Sequence, residues 1–196
     1  MSGEGAPNEA NVAARARLLE LLRALSFARR RVVLASGRES DFFIDCKQAV
    51  LTAEGHALVG ELVLDTLSRL PAPVSAVAGV ELGGCPLASA VSLASFHRGA
   101  PLDAIYVRKD AKSHGTRRLI EGGTRLPSGA CVALLEDVVT TGGSTLNAAV
   151  RLRDAHYAIG GVIALVDRLE GGREAIEGAG IFFRALYTRD DFMTES

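Results

Sequence analysis

Cysteine is scarce in this chain of 196 residues: Cys46, Cys85 and Cys131 are odd in number and far apart. With no C-x-x-C pair they indicate neither a disulfide framework nor a zinc site, and they fit a reducing, cytoplasmic compartment. An excess of either charge is lacking as well. The 22 basic residues nearly balance the 23 acidic ones, so the net charge of −1 gives no positive field that would favour nucleic acid. No apolar stretch reaches the roughly 18–20 residues of a membrane helix, and the small, polar N-terminus lacks the basic-then-apolar order of a signal peptide. Three motifs are missing: G-x-x-x-x-G-K-[ST], G-x-G-x-x-G and G-x-S-x-G. Their absence removes the main support for a P-loop nucleotidase, a dinucleotide-binding fold and a serine hydrolase. His56, His97 and His156 have no partner at metal-ligand spacing. Hydrophobic residues at 48% and charged residues at 23% suit a globular chain. We expect residues 1–9 to be disordered and residues 10–196 to form one domain.

What is present centres on residues 131–145, Cys-Val-Ala-Leu-Leu-Glu-Asp-Val-Val-Thr-Thr-Gly-Gly-Ser-Thr. An apolar run, read as a strand over Val132–Leu135, meets the carboxylates Glu136 and Asp137. A loop of hydroxyls and glycines then opens into a helix-like segment, Leu146–His156. Carboxylates accept hydrogen bonds from ribose hydroxyls, and open N–H groups at Thr141 to Ser144, at the positive end of a helix dipole, suit a phosphate. An ordinary turn with an N-cap is the plainer alternative for the loop taken alone.

Elsewhere, apolar spacing predicts helices over Asn11–Ala28, Thr52–Leu70 (with Thr52 as cap), Pro86–Phe96 and Arg173–Glu177. Short strands are expected at Arg31–Leu34, Phe42–Asp45, Val74–Val80, Leu102–Val107, Ile159–Val166 and Ile181–Leu186. Strands alternating with helices imply an α/β fold with a parallel sheet covered on both faces and ligands beyond its C-terminal strand ends. Distinctive residues fall at those ends: Gly83-Gly84, Arg108-Lys109, Glu136-Asp137 and Asp167-Arg168. Residues 106–122 carry Arg108, Lys109, Lys112, His114, Arg117 and Arg118. A solvated loop explains such charges, but a long loop in a compact domain often serves as a lid. Its cations suit a departing pyrophosphate. Gly83-Gly84 permits close approach of a phosphate, though a plain turn explains it equally. Arg168 can pair bidentately with a substrate carboxylate, or simply with Asp167 or Glu170.

In order along the chain, five blocks resemble the orotate phosphoribosyltransferases: Ser36–Asp45, Gly79–Pro86, Arg108–Gly115 with Ile120–Gly122, Leu135–Thr145 and Val166–Gly172. The resemblance implies a type I phosphoribosyltransferase fold, with a central parallel sheet flanked by helices, a small N-terminal hood and a mobile lid over about 108–123. It also implies a magnesium-dependent transfer of ribose 5-phosphate from phosphoribosyl pyrophosphate to orotate, by a homodimer whose lid reaches the neighbour's site. By the same resemblance, Glu136 and Asp137 hold the ribose, and Lys112 and His114 join them as catalytic residues. Thr140, Thr141, Gly142, Gly143 and Ser144 cradle the 5′-phosphate, Val138 and Val139 also bind phosphoribosyl pyrophosphate, and Gly83 and Gly84 line the pyrophosphate. Arg108, Lys109, Lys112 and His114 belong to the lid. Thr140, Arg168, Phe43 and Ile44 meet orotate, and magnesium is held mainly through the substrate. Two positions depart from the pattern. Ala35 stands where many relatives carry lysine and Gly83 where some do, and the loss should weaken phosphoribosyl pyrophosphate binding unless the lid or Lys47 compensates.

Overall fold

Apolar runs of five to ten residues supply most of the central sheet: β3 (Ala76–Val80), β4 (Asp103–Val107), β6 (Cys131–Val139), β7 (Ala158–Asp167) and β8 (Phe183–Thr188). A two-residue strand, β5 (Ile120–Glu121), completes it. In the computed structural model, which describes residues 9–33, 39–109 and 119–193, the strand order is β5-β4-β3-β6-β7-β8. All neighbours are parallel except β4 and β5. The parallel sheet anticipated from the alternation of elements is therefore present, with β5 as an antiparallel addition at its edge.

Side chains alternate between two cores, as the two-residue period of a strand requires. Val77, Ala133, Leu135, Ile163 and Leu165 pack with α1 (Glu9–Leu25), α3 (Ala53–Leu67) and α4 (Gly84–His97). Ala78, Val132, Leu134, Val162 and Ala164 pack on the opposite face with α5 (Gly143–Asp154) and α6 (Gly172–Gly178). Two short helices, α2 (Lys47–Val50) and α7 (Asp190–Met193), were not anticipated.

A separate antiparallel hairpin, β1 (Phe27–Val33) with β2 (Glu39–Ile44), forms the hood. Here the sequence reading needs correction. The first helix stops at Leu25 rather than Ala28, because Phe27 and Ala28 pair with Ile44 and Phe43. The buried hydroxyl of Ser26 at the junction accepts from the Ala49 N–H at 3.2 Å. Phe42 is fully buried, and its ring lies 5.1 Å from Phe27 and 5.7 Å from Phe192. The hood is thereby tied to the C-terminal helix α7.

The second correction concerns β6. It does not end at Leu135 but continues through the acidic pair to Val139. Glu136, Val138 and Val139 pair with Ala164, Val166 and Asp167 of β7. On its other side the pairing with β3 ends at Gly79 opposite Leu135. The two acids therefore sit where one neighbour strand has given way to a turn. Of the cysteines, Cys46 is fully buried, whereas Cys131, at the start of β6, is half-buried.

Candidate active site

Because β3, β4, β6 and β7 are parallel, their C-terminal ends open on one edge of the sheet. The Gly83-Gly84 turn, the Arg108-Lys109 segment, the acidic pair with its loop, and Asp167-Arg168 all follow from those ends. This is the place where parallel sheets bind ligands.

Glu136 is only 5% exposed, and its Oε2 accepts hydrogen bonds from the hydroxyls of Ser144 and Thr145, both at 3.3 Å. Burial, and after it the neighbouring Asp137, push its carboxyl well above the usual carboxylate range. Asp137 is half-buried; its Oδ1 accepts from the Val138 N–H at 3.0 Å. The carboxylate lies against the Gly83 backbone, where an added Cβ would fall 1.9 Å from Oδ2. A side chain at Gly83 would displace the Asp137 carboxylate from this position. Gly84 is equally tight, since a Cβ there would sit 2.3 Å from the Leu135 carbonyl oxygen.

The loop after β6 ends at Gly142, the N-cap of α5, with φ 79° and ψ −3°. That left-handed conformation favours glycine, and the cap offers no side-chain hydrogen bond to the helix. The first-turn N–H groups therefore point out of the helix start toward the cleft. Thr141, Gly143 and Ser144 are exposed there, and Thr140 is half-buried. Val138 and Val139 differ in character: they belong to the strand ladder, and Val139 is buried in the core with its carbonyl accepting from the Arg168 N–H at 2.9 Å.

Arg168, 8% exposed, forms an ion pair with Glu170 at 2.9 Å and donates to the Phe42 carbonyl at 3.2 Å. It joins the hood to the end of β7. Ile44 is half-buried against the core, and the half-buried Phe43 ring carries the Arg30 guanidinium at 3.8 Å. Lys47 is paired with Asp45 at 2.6 Å. That hydrogen bond, with a smaller contribution from the charge of Asp137, raises its pKa. Lys112, His114, Ala35 and Ser36–Arg38 lie outside the described residues.

Sequence reasoning missed three residues at this edge. Thr145 closed the motif but was read only as the last residue of the loop. Glu81 stood inside a quoted block, and its carboxylate accepts from the Lys109 N–H at 2.9 Å. Arg151 donates to the Arg108 carbonyl from α5, and no local pattern marks it.

No protein-family model matches the chain. The orotate phosphoribosyltransferase of Sorangium cellulosum (strain So ce56) is 64% identical over 187 residues, which is 95% of this chain and 97% of that protein. A crystal structure of Mycobacterium tuberculosis H37Rv orotate phosphoribosyltransferase in complex with Fe(III) dicitrate is similar with a TM-score of 0.78 and 40% identity. It covers 92% of this chain and 99% of the other. A structure of that enzyme in complex with 5-phospho-alpha-D-ribosyl 1-diphosphate gives a TM-score of 0.75 and 35% identity, over 92% and 99% of the two chains. With identity this high along nearly the whole of both chains, the protein belongs to the orotate phosphoribosyltransferase family and has the type I phosphoribosyltransferase fold.

Proposed function

We propose that the cleft at the C-terminal strand ends is the catalytic centre of an orotate phosphoribosyltransferase. The enzyme is a pentosyltransferase of pyrimidine biosynthesis: it moves ribose 5-phosphate from phosphoribosyl pyrophosphate to orotate and yields orotidine 5′-monophosphate and diphosphate. The observation that carries this reading is the placement of Glu136 and Asp137 beside the open N-terminus of α5. A pentose held by the acids puts its 5′-phosphate on the helix-start N–H groups of Thr141 to Ser144. Its anomeric carbon then faces the Gly83-Gly84 turn, where the pyrophosphate lies.

Orotate nitrogen attacks the anomeric carbon as the C–O bond to pyrophosphate breaks, and the electron pair leaves with the pyrophosphate. The oxygens of the acidic pair favour the cationic sugar of the transition state. Arg108, Lys109, Lys112 and His114 take up the charge of the leaving group. Arg168, with Thr140, Phe43 and Ile44, receives orotate. For its carboxylate to be held by Arg168, the guanidinium must share itself between the substrate and Glu170.

The metal of this family is proposed to be magnesium, carried in on the pyrophosphate. It would be held mainly through the substrate, with Glu136 and Asp137 the residues of this chain whose hard oxygens suit it there. The nearby Cys85 thiol, pushed up to about 11 by burial and then by Glu81 and Glu136, stays protonated and is no competitor. Bound magnesium would neutralise the leaving group.

The proposed assembly is a homodimer in which Lys112 and His114 act across the interface. Leu82, Leu93 and Phe96 support it, being 63%, 55% and 68% exposed on the pyrophosphate turn and on α4. The cytoplasm is the proposed compartment, in keeping with three free thiols. Pyrophosphate release by purified protein, with orotate, adenine or hypoxanthine offered in turn, tests the reading. Release with orotate and magnesium is expected; turnover of a purine but not orotate rejects it.

A further inference from the structure

Glu81 is an acid in the turn that carries Gly83 and Gly84, so its charge opposes a pyrophosphate bound there. Its hydrogen bonds explain what it does instead. The Glu81 N–H donates to the Val107 carbonyl at 2.9 Å, and its Oε2 accepts from the Lys109 N–H at 2.9 Å. The adjoining peptide is held from other directions. Arg151 of α5 donates to the Arg108 carbonyl, and the Arg108 N–H donates to the Leu119 carbonyl at 2.8 Å. The Arg108 side chain forms an ion pair with Glu121 at 3.5 Å. Lys109, Ser144, Asn147 and Arg151 line one cleft of about 320 Å³ that joins the ends of β3 and β4 to the first turns of α5. The Arg108-Lys109 backbone is thus clamped between the turn that would bind pyrophosphate and the helix that would bind the 5′-phosphate.

We propose that Glu81 is a positioning residue: its carboxylate fixes the Lys109 peptide and so aims the Lys109 ammonium at the pyrophosphate without touching it. The inference rests on the reading of Arg108 and Lys109 as pyrophosphate-binding residues. A carboxylate is not required for the task, only an acceptor at that point. Glutamine should therefore serve and alanine should not, which separates aim from charge.

The test is steady-state kinetics against phosphoribosyl pyrophosphate, with melting temperatures, for Glu81→Ala, Glu81→Gln, Lys109→Ala and the Glu81→Ala, Lys109→Ala double variant. Glu81→Ala should raise KM about tenfold, the upper range for one hydrogen bond, with kcat changed less than about threefold. Its melting temperature should stay within about 2 °C of the parent, as for a surface substitution. Glu81→Gln should stay within about twofold of the parent, and the double variant within about twofold of Lys109→Ala, because a missing cation needs no aiming. An unchanged KM in Glu81→Ala while Lys109→Ala raises it overturns the inference alone. So does a Glu81→Gln defect as large as that of alanine, or a double variant whose losses multiply. If Lys109→Ala leaves KM unchanged, the pyrophosphate reading of the cation pair fails and this inference falls with it.

Discussion

At the scale of single residues, Glu136 carries a thermodynamic cost that a substitution can expose. Its pKa in the folded protein is raised above the ordinary 4.5 by burial and by Asp137. As pH rises the unfolded chain ionises first, so the folded state binds more protons and stability falls with pH. The contribution is whole below the ordinary glutamate range and is lost as pH rises toward the shifted value. Glu136→Gln should remove this slope, raise the melting temperature above about pH 7 by about 2–4 °C per kcal/mol recovered, and impair catalysis. Calorimetry of both proteins from about pH 5 to about pH 9 checks it; equal slopes would place the pH dependence in another group. Gly83 offers a second test. Any side chain there must drive the Asp137 carboxylate out of its place. Gly83→Ala should therefore lower kcat/KM on the order of a hundredfold, as displaced catalytic groups do, and Gly83→Lys should not act as a gain of a useful cation. Activity near the parental value in Gly83→Ala would mean that Asp137 works from another rotamer.

At the scale of elements, what the sequence made legible depended on whether the signal was local. The start of α3 was readable because Thr52 caps it within one turn: its hydroxyl accepts from the Gly55 N–H at 3.0 Å and donates to the Ala49 carbonyl at 2.8 Å. Thr52→Ala should cost about 1 kcal/mol, typical of a lost N-cap, and lower the melting temperature by about 2–4 °C with kcat unchanged in the pyrophosphate-release assay. The end of β6 was not readable, because two acids break the apolar pattern. Only pairing with β7, some 28 residues on, keeps Glu136 in the ladder opposite Ala164. The same holds for β1, whose first residues extend a helical rhythm until Phe27 meets Ile44 across the hairpin. Site residues followed the same rule. The glycine turns and the acidic pair announced themselves in sequence, whereas Glu81 and Arg151 became visible only once β3, β4 and α5 were placed side by side.

At the scale of the whole molecule, the hood is held by aromatic packing of Phe27, Phe42 and Phe192 and by the Arg189–Asp41 ion pair at 2.5 Å. Hood and sheet meet at Arg168, and the proposed binding of orotate there would depend on both. If the proposed dimer shares its sites, Lys112→Ala and Asp137→Asn homodimers should each be nearly inactive. Mixed subunits should then recover up to about a quarter of parental activity, since one composite site in a heterodimer keeps both residues. No recovery on mixing, with subunit exchange shown by native mass spectrometry, would confine each site to one chain.

The central position of β6 carries a kinetic consequence. Amide protons of Leu134 and Leu135, in a strand paired with β3 and β7, should exchange with deuterium only through complete unfolding, on the slowest timescale of the chain. The acids at 136 and 137 adjoin this rigid bed, so an arriving substrate meets a fixed anvil, and all accommodation must come from the segments above it. Rapid deuterium uptake at Leu134–Leu135 in the free enzyme would show that the anvil itself gives.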